Sequence, residues 1–303
     1  MPTLDSIDST VADQHAAEVR AGGRFTFGEN WKSFLRTVDE SRIQESIAAL
    51  QQMLGVTTLE GMRFVDIGSG SGLSSLAAHR LGADVTSFDY DPSSVGCTLE
   101  MRERYAKDSP RWRIMHGSAL DPAYLATLGT FDVVYSWGVL HHTGAMWPAI
   151  HNVLPMVARD GLLFLALYND QGVWSRRWLK IKQVYCSGVV GQLAVSSVFI
   201  PWWTFRSALG DVVRGRAPWH SIATYGKNRG MSAWHDFHDW LGGYPFEAAK
   251  PEGIILPIQK AGFVLENLNT QYGSVGCVEY VFRKATSAVW APPSDDGTGQ
   301  GRA

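Results

Sequence analysis

One short stretch, Val65-Asp66-Ile67-Gly68-Ser69-Gly70-Ser71-Gly72, decides the fold of this chain. The apolar run over 63–67 predicts a buried strand, and the helical periodicity over 72–81 predicts a helix directly after the glycines. Glycines permit a tight turn and let a ligand come close to the main chain. The helix N-terminus then presents unpaired N–H groups to polar ligand atoms. The stretch therefore predicts a ligand-binding loop between a strand and a helix.

The spacing of the glycines argues against two common phosphate ligands. A dinucleotide-binding loop needs its third glycine where Leu73 stands, and a P-loop needs a Gly-Lys-Ser/Thr run that is absent. Asp66 also places negative charge where a pyrophosphate would lie. Asp89 follows the second predicted strand, where a carboxylate can accept hydrogen bonds from both hydroxyls of a ribose. The loop therefore favours a ligand with a ribose and without a pyrophosphate.

With these elements in register, the chain resembles the class I S-adenosylmethionine-dependent methyltransferases, in the broad group often labelled quinone-methylase-like. The resemblance covers 60–168 and 250–284 and implies S-adenosyl-L-methionine as the cofactor. The matching elements are the loop over 66–72, Asp89, Phe131-Asp132-Val133-Val134-Tyr135-Ser136, Val139-Leu140-His141-His142 and Lys260-Ala261-Gly262-Phe263.

Strand and helix patterns alternate regularly along this part of the chain. Such alternation indicates a parallel sheet with helices on both faces, so we expect an α/β, Rossmann-like, doubly wound sheet of seven strands. Strands are predicted near 63–67, 84–89, 112–116, 131–136, 161–168, 263–270 and 276–284. Helices are predicted near 72–81, 92–105, 121–128, 145–157 and 251–260.

The chain divides into four predicted parts around this core. Residues 1–24 are polar and are expected to be loosely ordered, and an amphipathic helix is predicted from Ser41, as its cap, to Gly55. The aromatic run over 25–34 is expected to pack on the body or over the cofactor. The parts are an N-terminal helical cap (1–60), a cofactor-binding domain (61–168 and 250–285), a lid insertion (169–249) and a flexible tail (286–303).

The insertion after the fifth strand contains seven of the twelve tryptophans. An insertion at this point lies at the carboxyl edge of the sheet, where such folds bind ligands. It is therefore interpreted as a mostly helical lid over the substrate, the alternative being a small satellite core. Residues 183–205 carry no charge. They fit a buried lid helix, an interfacial helix that touches a membrane or a lipid substrate, or a membrane span.

Composition and charge exclude several classes of protein. The chain has 303 residues, 45% of them hydrophobic, and a net charge of −2, which gives no bias toward nucleic acid. Its three cysteines are odd in number and far apart, which argues against a disulfide framework. The N-terminus lacks the cationic and apolar segments of a signal peptide. We therefore expect a cytoplasmic protein with no nucleic-acid partner, and its oligomeric state is left open.

The resemblance implies roles for residues around the glycine loop. Asp66 would orient the loop and the methionyl end, Asp89 would take the ribose hydroxyls and Tyr90 would pack on the adenine. The family often has an acid near Ser118, so adenine recognition here departs from the pattern. The predicted cofactor-binding residues are Asp66, Gly68, Ser69, Gly70, Gly72, Asp89, Tyr90, Ser118, Ala119, Ser136 and Trp137.

Histidines near the predicted active edge are candidates for a catalytic base, because histidine transfers protons near neutral pH. The candidate catalytic residues are His141, His142, His235 and Asp236, each with a structural role as the alternative. A metal site from His235, His238 and Asp239 is disfavoured by the glycines that follow, so no metal is expected. The residues expected to face the substrate are Tyr168, Asn169, Trp174 and Trp234.

These observations favour methyl transfer from S-adenosylmethionine to a small-molecule acceptor, with an oxygen atom as the preferred acceptor. The enzyme would align nucleophile, methyl carbon and sulfur and exclude water, and a histidine would act as base where a proton must leave. Two alternatives remain: a methyltransferase that acts on protein or RNA, and a non-catalytic binding protein that retains the fold. Peripheral membrane or lipid contact through 183–205 is a further expectation.

Overall fold

The computed structural model describes residues 7–223, 237, 240–270 and 276–285. The predicted tail over 286–303 lies outside the described residues. So do five residues with predicted roles, which are Trp234, His235, Asp236, His238 and Asp239.

A seven-stranded sheet forms the centre of the described chain. Its strands are β1 (Arg63–Ile67), β2 (Asp84–Asp89), β3 (Trp112–His116), β4 (Phe131–Trp137), β5 (Val157–Tyr168), β6 (Phe263–Asn269) and β7 (Cys277–Lys284). Their order is β3-β2-β1-β4-β5-β7-β6, with β1 to β5 parallel and β7 antiparallel to both of its neighbours. The strand order reverses between β1 and β4, and in open α/β sheets ligands bind outside the carboxyl ends at such a point.

Helices connect and flank the strands, which confirms the predicted doubly wound α/β fold. They are α1 (Ser9–Arg20), α2 (Gly28–Leu35), α3 (Glu40–Leu54), α4 (Leu73–Arg80), α5 (Pro92–Tyr105), α6 (Pro122–Leu128), α7 (Met146–Val153), α8 (Val173–Cys186), α9 (Val189–Val213), α10 (His220–Ala223) and α11 (Pro251–Lys260). Two short 3₁₀ turns occupy Leu140–His142 and Leu154–Met156.

Both faces of the sheet are buried, as the alternation along β1 shows. Phe64 belongs to the apolar cluster beneath α3, α4 and α5, whereas Val65 and Ile67 belong to the cluster beneath α6, α7 and α11. Successive side chains of a strand point to opposite faces of the sheet. A strand with helices packed on both faces therefore needs apolar residues at consecutive positions. Asp66 is the exception in this run, since it is buried on the α4 side.

Local signals set most helix boundaries, with one correction. The Asp91 carboxylate accepts a hydrogen bond from the Ser93 N–H at the start of α5, as the Asp91-Pro92 pair predicts. Gly55 ends α3 in the left-handed region, at φ +66°. The prediction that Ser41 caps α3 is wrong, because Asp39 takes that position and accepts from Arg42 N–H at 3.0 Å.

The expectation of a loosely ordered N-terminus is wrong for residues 9–20. The Asp8 carboxylate caps α1 by accepting from Thr10 N–H at 2.8 Å. Polar composition is compatible with this helix because its stability comes from tertiary contacts, which include the buried His15. The predicted helix over 145–157 also ends early, at Val153, because Pro155 in the following turn cannot donate a helical hydrogen bond.

The described part of the insertion after β5 is mostly helical, as expected, but residues 183–205 do not form one buried helix. The segment crosses the break between α8 and α9, where Gly188 has φ +125°. Much of the apolar surface of α9 is exposed. Within the described ranges, no helix combines the length and the apolar character that crossing a bilayer would require.

Candidate functional site

The glycine loop turns tightly between β1 and α4, at the carboxyl edge of the sheet. Gly68, Gly70 and Gly72 have φ values of +77°, +54° and +79°, which side-chain-bearing residues rarely adopt. A Cβ atom on Gly68 would lie 2.3 Å from Val139 Cγ1. Glycine is therefore required both for the backbone conformation and for the close packing of the loop beneath the turn after β4.

Asp89, at the end of β2, holds the glycine loop through hydrogen bonds to the backbone. One carboxylate oxygen accepts from Gly70 N–H and the other from Asp91 N–H, both at 2.9 Å. Burial raises the pKa of Asp89 to about 6, while these backbone N–H groups oppose the rise. Each carboxylate oxygen can accept a second hydrogen bond, so the end of β2 presents acceptor capacity beside the glycine loop.

Asp66 lies at the centre of a buried polar chain. Ser75 Oγ, on α4, donates to its carboxylate at 2.5 Å and lies 2.7 Å from Ser87 Oγ on β2. Trp112 Nε1 in turn donates to Ser87 Oγ at 2.8 Å. Burial raises the pKa of Asp66 to about 7, partly offset by the Ser75 hydrogen bond. The carboxylate thus fixes the helix after the loop against the sheet, and any direct contact with the cofactor stays a prediction.

The N-terminal segment lies over Tyr90, at the end of β2. Tyr90 Oη donates to Glu18 at 3.1 Å, and the Arg24 guanidinium lies 4.8 Å above the ring centre. The His15 ring meets Tyr90 edge-on at 5.3 Å. Arg24 also pairs with Glu18 at 2.8 Å, so these side chains form one connected cover over the residue predicted to contact adenine.

Helix α2 covers the glycine loop itself. Trp31 lies so close to Gly70 that a Cβ atom there would be 2.9 Å from its ring. The Gly28 N–H donates to Asp91 at 2.9 Å, which fixes α2 to the start of α5. Phe27 packs on the His142 ring at 4.9 Å. The aromatic run over 25–34 therefore contacts the loop and the turn after β4.

The end of β3 completes the predicted adenine side. His116 Nε2 lies 3.0 Å from the Tyr90 carbonyl, which can only accept, so this nitrogen carries the proton. Ser118 Oγ accepts from Leu120 N–H at 3.1 Å, so part of its capacity serves a local turn. Ala119 is buried, and Asp121 caps α6.

Buried polar atoms without hydrogen-bond partners surround the carboxyl edge. They are His15 Nε2, His116 Nδ1, Tyr124 Oη and both ring nitrogens of His141. Each such atom costs about 1–3 kcal/mol, and native structures contain few of them. In the described part of the chain the one other case is His79 Nδ1, near the far end of α4. A polar ligand at the strand ends would give these atoms partners.

Two of the candidate bases lie in the turn after β4. His142 Nδ1 donates to the Pro245 carbonyl at 2.6 Å, and burial lowers the pKa of this imidazole to about 3. The His141 ring packs 4.0 Å from the Tyr168 ring, and burial lowers its pKa well below the usual value. Both rings are therefore neutral. The two ring nitrogens of His141 have no hydrogen-bond partner, whereas Nδ1 of His142 is hydrogen-bonded to the backbone.

The remaining predicted residues divide between the site and the outer surface. Ser136 Oγ donates to the Ile67 carbonyl at 3.1 Å, below the loop, and Asn169 forms a bridge with Ala249. Trp174 is 59% exposed on α8. The structure therefore brings Ser136, Tyr168 and Asn169 to the strand ends and leaves Trp174 on the outside of the insertion.

Trp137, at the end of β4, borders a small cavity. Its Nε1 donates to Glu279 on β7 at 2.7 Å. The cavity, of about 70 Å³, lies between α3 and the sheet, and Ser74 and Tyr135 also line it. Polar groups therefore line the space beside Trp137, and the contact of Trp137 with the methionyl end of a cofactor stays a prediction.

Sequence reasoning missed four residues of this site, which are His15, Glu18, Arg24 and His116, whereas Trp31 belongs to the aromatic run that was expected to pack on the body or over the cofactor. His116 could have been found, because a polar residue at the carboxyl end of a parallel strand is a common ligand contact. The others reach the site only through the packing of α1 and α2, which no local pattern announces. Among the described residues, no group of three or more His, Cys, Asp or Glu side chains could hold a metal ion.

Comparisons with known proteins agree with this geometry. Residues 65–163 match a family model described as a methyltransferase domain. Residues 65–163 are therefore similar to a methyltransferase domain, and the predicted resemblance to the class I S-adenosylmethionine-dependent methyltransferases is confirmed.

Two curated relatives carry names from ubiquinone biosynthesis. The ubiquinone biosynthesis O-methyltransferase of Rhizobium leguminosarum bv. trifolii (strain WSM2304) is 34% identical over 112 residues, 37% of this chain and 42% of the relative. The mitochondrial enzyme of that name from Schizosaccharomyces pombe (strain 972 / ATCC 24843) is 33% identical over 110 residues, 35% of this chain and 38% of the relative. The chain thus spans less than half the length of these relatives.

Among solved structures, the magnesium protoporphyrin IX methyltransferase of Synechocystis PCC 6803 with bound S-adenosylhomocysteine is similar to this chain. The TM-score is 0.53 at 13% sequence identity, over 89% of this chain and 100% of that chain. At this identity the likeness concerns the fold alone, and it extends beyond the matched domain to most of the chain.

Proposed function

We propose that this protein is an S-adenosylmethionine-dependent methyltransferase that acts on a small-molecule acceptor, with oxygen as the accepting atom. The observation that carries the proposal is the glycine loop held against the half-buried Asp89, with unpartnered polar atoms around the same strand ends. The matched methyltransferase domain covers this loop and this carboxylate. The names of the curated relatives support an oxygen acceptor.

The cofactor-binding residues form a continuous surface along the carboxyl ends of β1, β2 and β4. Asp89 accepts hydrogen bonds from the ribose hydroxyls, and the loop at Gly68 and Gly70 lets the backbone approach the cofactor. Tyr90 takes the adenine side, with His116 adjacent to it. When bound, S-adenosylmethionine supplies an electrophilic methyl group on a positively charged sulfur.

The remaining cofactor-binding residues support this surface from below and from the side. Asp66 holds α4 in place through Ser75, and Ser136 and Trp137 border the methionyl end. Ser69 contributes through its hydroxyl, which lies 2.9 Å from Thr98 Oγ1 and fixes the loop on α5. Preorganised contacts of this kind keep the reacting atoms in line without further cost at the time of reaction.

Water is excluded by parts of the chain on two sides of the site. Helices α1 and α2 cover Tyr90 and the glycine loop through His15 and Trp31. The insertion over 169–249 follows directly after Tyr168, and this position favours a lid role. Exclusion of water prevents hydrolysis of the reactive sulfonium and strengthens polar contacts with the acceptor.

His141 is the best-placed candidate for the base among the described residues. Its nitrogens have no protein partner, and its depressed pKa keeps it unprotonated, so it can accept a hydrogen bond from an acceptor hydroxyl. His142 orients the turn, because its Nδ1 proton is bound to the Pro245 carbonyl. The catalytic roles of His235 and Asp236 stay predictions, since both lie outside the described residues.

Two measurements test the proposal in sequence. Calorimetric titration with S-adenosylhomocysteine should give a dissociation constant in the micromolar range, and no binding by the wild type would overturn the cofactor site. Release of S-adenosylhomocysteine from S-adenosylmethionine is then measured with a panel of hydroxylated small molecules, with the corresponding amines and methyl ethers as controls. Transfer to hydroxyls alone supports an oxygen acceptor, whereas transfer only to protein or RNA would contradict the small-molecule assignment.

A further inference from the structure

A row of exposed apolar side chains follows one face of α9. In this row, called here the α9 stripe, each residue after the first follows an earlier member by three or four positions, which places the residues on one side of a helix. Its members are Val198, Trp202, Phe205, Leu209, Val212 and Val213, each at least 51% exposed. Soluble proteins rarely expose a continuous apolar row of this length, and such rows mark interaction surfaces.

The opposite face of α9 is already packed within the insertion. Phe199 and Trp203 meet the Phe237 ring at 5.8 and 4.7 Å, and Phe199 also meets Trp178 of α8 at 5.9 Å. The helix is thus held by one face, with the α9 stripe directed away from these contacts. The stripe is therefore an additional surface and not part of the core of the insertion.

The same part of the chain is strongly basic. Residues 173–223 hold seven of the 27 Lys and Arg residues but one of the 29 acidic residues. That acid, Asp211, is buried and accepts from Ser221 Oγ and N–H at 2.5 and 2.8 Å. Lys182 is buried as well and donates to the Trp240 carbonyl. The six exposed basic residues are Arg176, Arg177, Lys180, Arg206, Arg214 and Arg216.

Two exposed tryptophans combine apolar and cationic character at this surface. The Arg206 guanidinium lies 5.5 Å from the Trp202 ring centre, and Arg177 lies 4.8 Å from that of Trp174. Tryptophan is enriched at membrane–water interfaces, and long basic side chains can place their charge in the headgroup layer while their stems lie on apolar surface.

An apolar helix face could dock on a second copy of this chain or on a lipid surface, and the charge around the α9 stripe decides between these two partners. A second copy of this chain docked on the same face would place a second set of six exposed cations opposite the first, and this like-charge repulsion is unfavourable. An anionic lipid surface complements both the apolar side chains and the positive charge. The α9 stripe inserts between the headgroups, and the negative headgroups attract the flanking cations.

We propose that α8 and α9 form a docking surface for the headgroup region of a bilayer that contains anionic lipids, with the α9 stripe inserted and the basic residues around it. The protein is then a peripheral membrane protein. Only four residues separate the end of β5 at Tyr168 from the start of α8 at Val173, so docking places the acceptor side of the site close to the bilayer. This proximity of the site to the bilayer favours an apolar acceptor drawn from the membrane. The inference about the acceptor rests on the proposed function, whereas the docking itself does not.

Sedimentation of the full chain with lipid vesicles tests the docking surface. Vesicles of phosphatidylcholine alone are compared with vesicles that contain about one third phosphatidylglycerol. The expected result is binding to the anionic vesicles that weakens as salt is raised, and little binding to the neutral ones. Since the measurement needs neither cofactor nor acceptor, its outcome is independent of whether S-adenosylhomocysteine binds.

The apolar contribution is tested with the double variant Phe205→Ser, Leu209→Ser. It should weaken partition into anionic vesicles at least about tenfold, because two large side chains no longer leave water on docking. The matched control is Leu256→Ser, Val264→Ser, at two exposed apolar positions on α11 and β6. Partition of the control variant into anionic vesicles should stay within about twofold of the wild type, because both positions lie outside the docking surface of α8 and α9.

The charge contribution is tested with Arg176→Gln, Arg214→Gln, which should weaken partition about 25-fold, at about fivefold for each charge. The control is Arg36→Gln, Lys260→Gln, which removes two exposed charges from elsewhere. Absence of binding to anionic vesicles would overturn the proposal, as would equal losses in the variants and their controls. A dimer in light scattering that Phe205→Ser, Leu209→Ser dissociates, without vesicle binding, would assign the stripe to self-association instead.

Discussion

Replacement of Asp89 by alanine is the change that bears most directly on the cofactor site. In the proposed function the carboxylate accepts hydrogen bonds from both ribose hydroxyls, and a hydrogen bond to a charged acceptor contributes about 1.5–3 kcal/mol. Loss of two such bonds at the lower limit costs about 3 kcal/mol, which weakens S-adenosylhomocysteine binding about 100-fold. Asp89→Asn keeps one acceptor oxygen without the charge, so an intermediate loss of about tenfold is expected.

The fold should survive this replacement because two effects oppose each other. Alanine removes the hydrogen bonds from Gly70 N–H and Asp91 N–H. It also removes a half-buried carboxyl whose pKa rises from 3.8 to about 6, a net penalty on the order of 3 kcal/mol at neutral pH. Because this net penalty already includes the two hydrogen bonds, their loss is not a further cost in addition to it, and the affinity change can be read without a large loss of stability.

Calorimetry on the wild type, Asp89→Ala and Asp89→Asn measures this prediction, with Asp84→Ala as the control. Asp84 is an exposed acid at the opposite end of the same strand, so its removal changes net charge equally without touching the site. The reasoning is refuted if Asp89→Ala binds within about threefold of the wild type, since two charge-assisted bonds cannot be that weak.

Three further outcomes follow from the buried groups of the site. Because the ionised form of Asp89 is the hydrogen-bond acceptor and its pKa is about 6, S-adenosylhomocysteine affinity should fall as pH drops from 7 to 5; calorimetry at both pH values checks this, and a flat profile contradicts it. The pKa of Asp66 is raised from 3.8 to about 7, so its contribution to stability is fully present at low pH and lost as pH rises through about 7. Urea unfolding of the ligand-free wild type should therefore show a decrease in the free energy of unfolding on the order of a few kcal/mol from pH 4 to 8 relative to Asp66→Asn, and parallel profiles would count against it. His141→Asn should lower kcat about 100-fold with S-adenosylhomocysteine affinity unchanged, and an unaltered kcat would exclude His141 as the base.

Some features of this protein are encoded within a few residues of sequence. The alternation of short apolar runs with helical periodicity predicts the α/β sheet, because strand and helix faces have fixed periods of two and 3.6 residues. The loop glycines predict positive φ values, which Gly68, Gly70 and Gly72 all show. Asp91-Pro92 starts a helix for equally local reasons. These features hold because their causes lie in backbone sterics and in hydrogen bonds between near neighbours.

Other features depend on partners that are distant in the chain. The polar N-terminus forms α1 over Tyr90 because Glu18 and Arg24 find partners there, and nothing within residues 1–24 indicates that contact. The sequence marks 183–205 as uncharged, but only the packing of Phe199 against Phe237 decides which face of α9 is buried and which is exposed. An apolar helix has several faces that could be buried, and the choice among them is made by the surfaces that the folded chain brings to it.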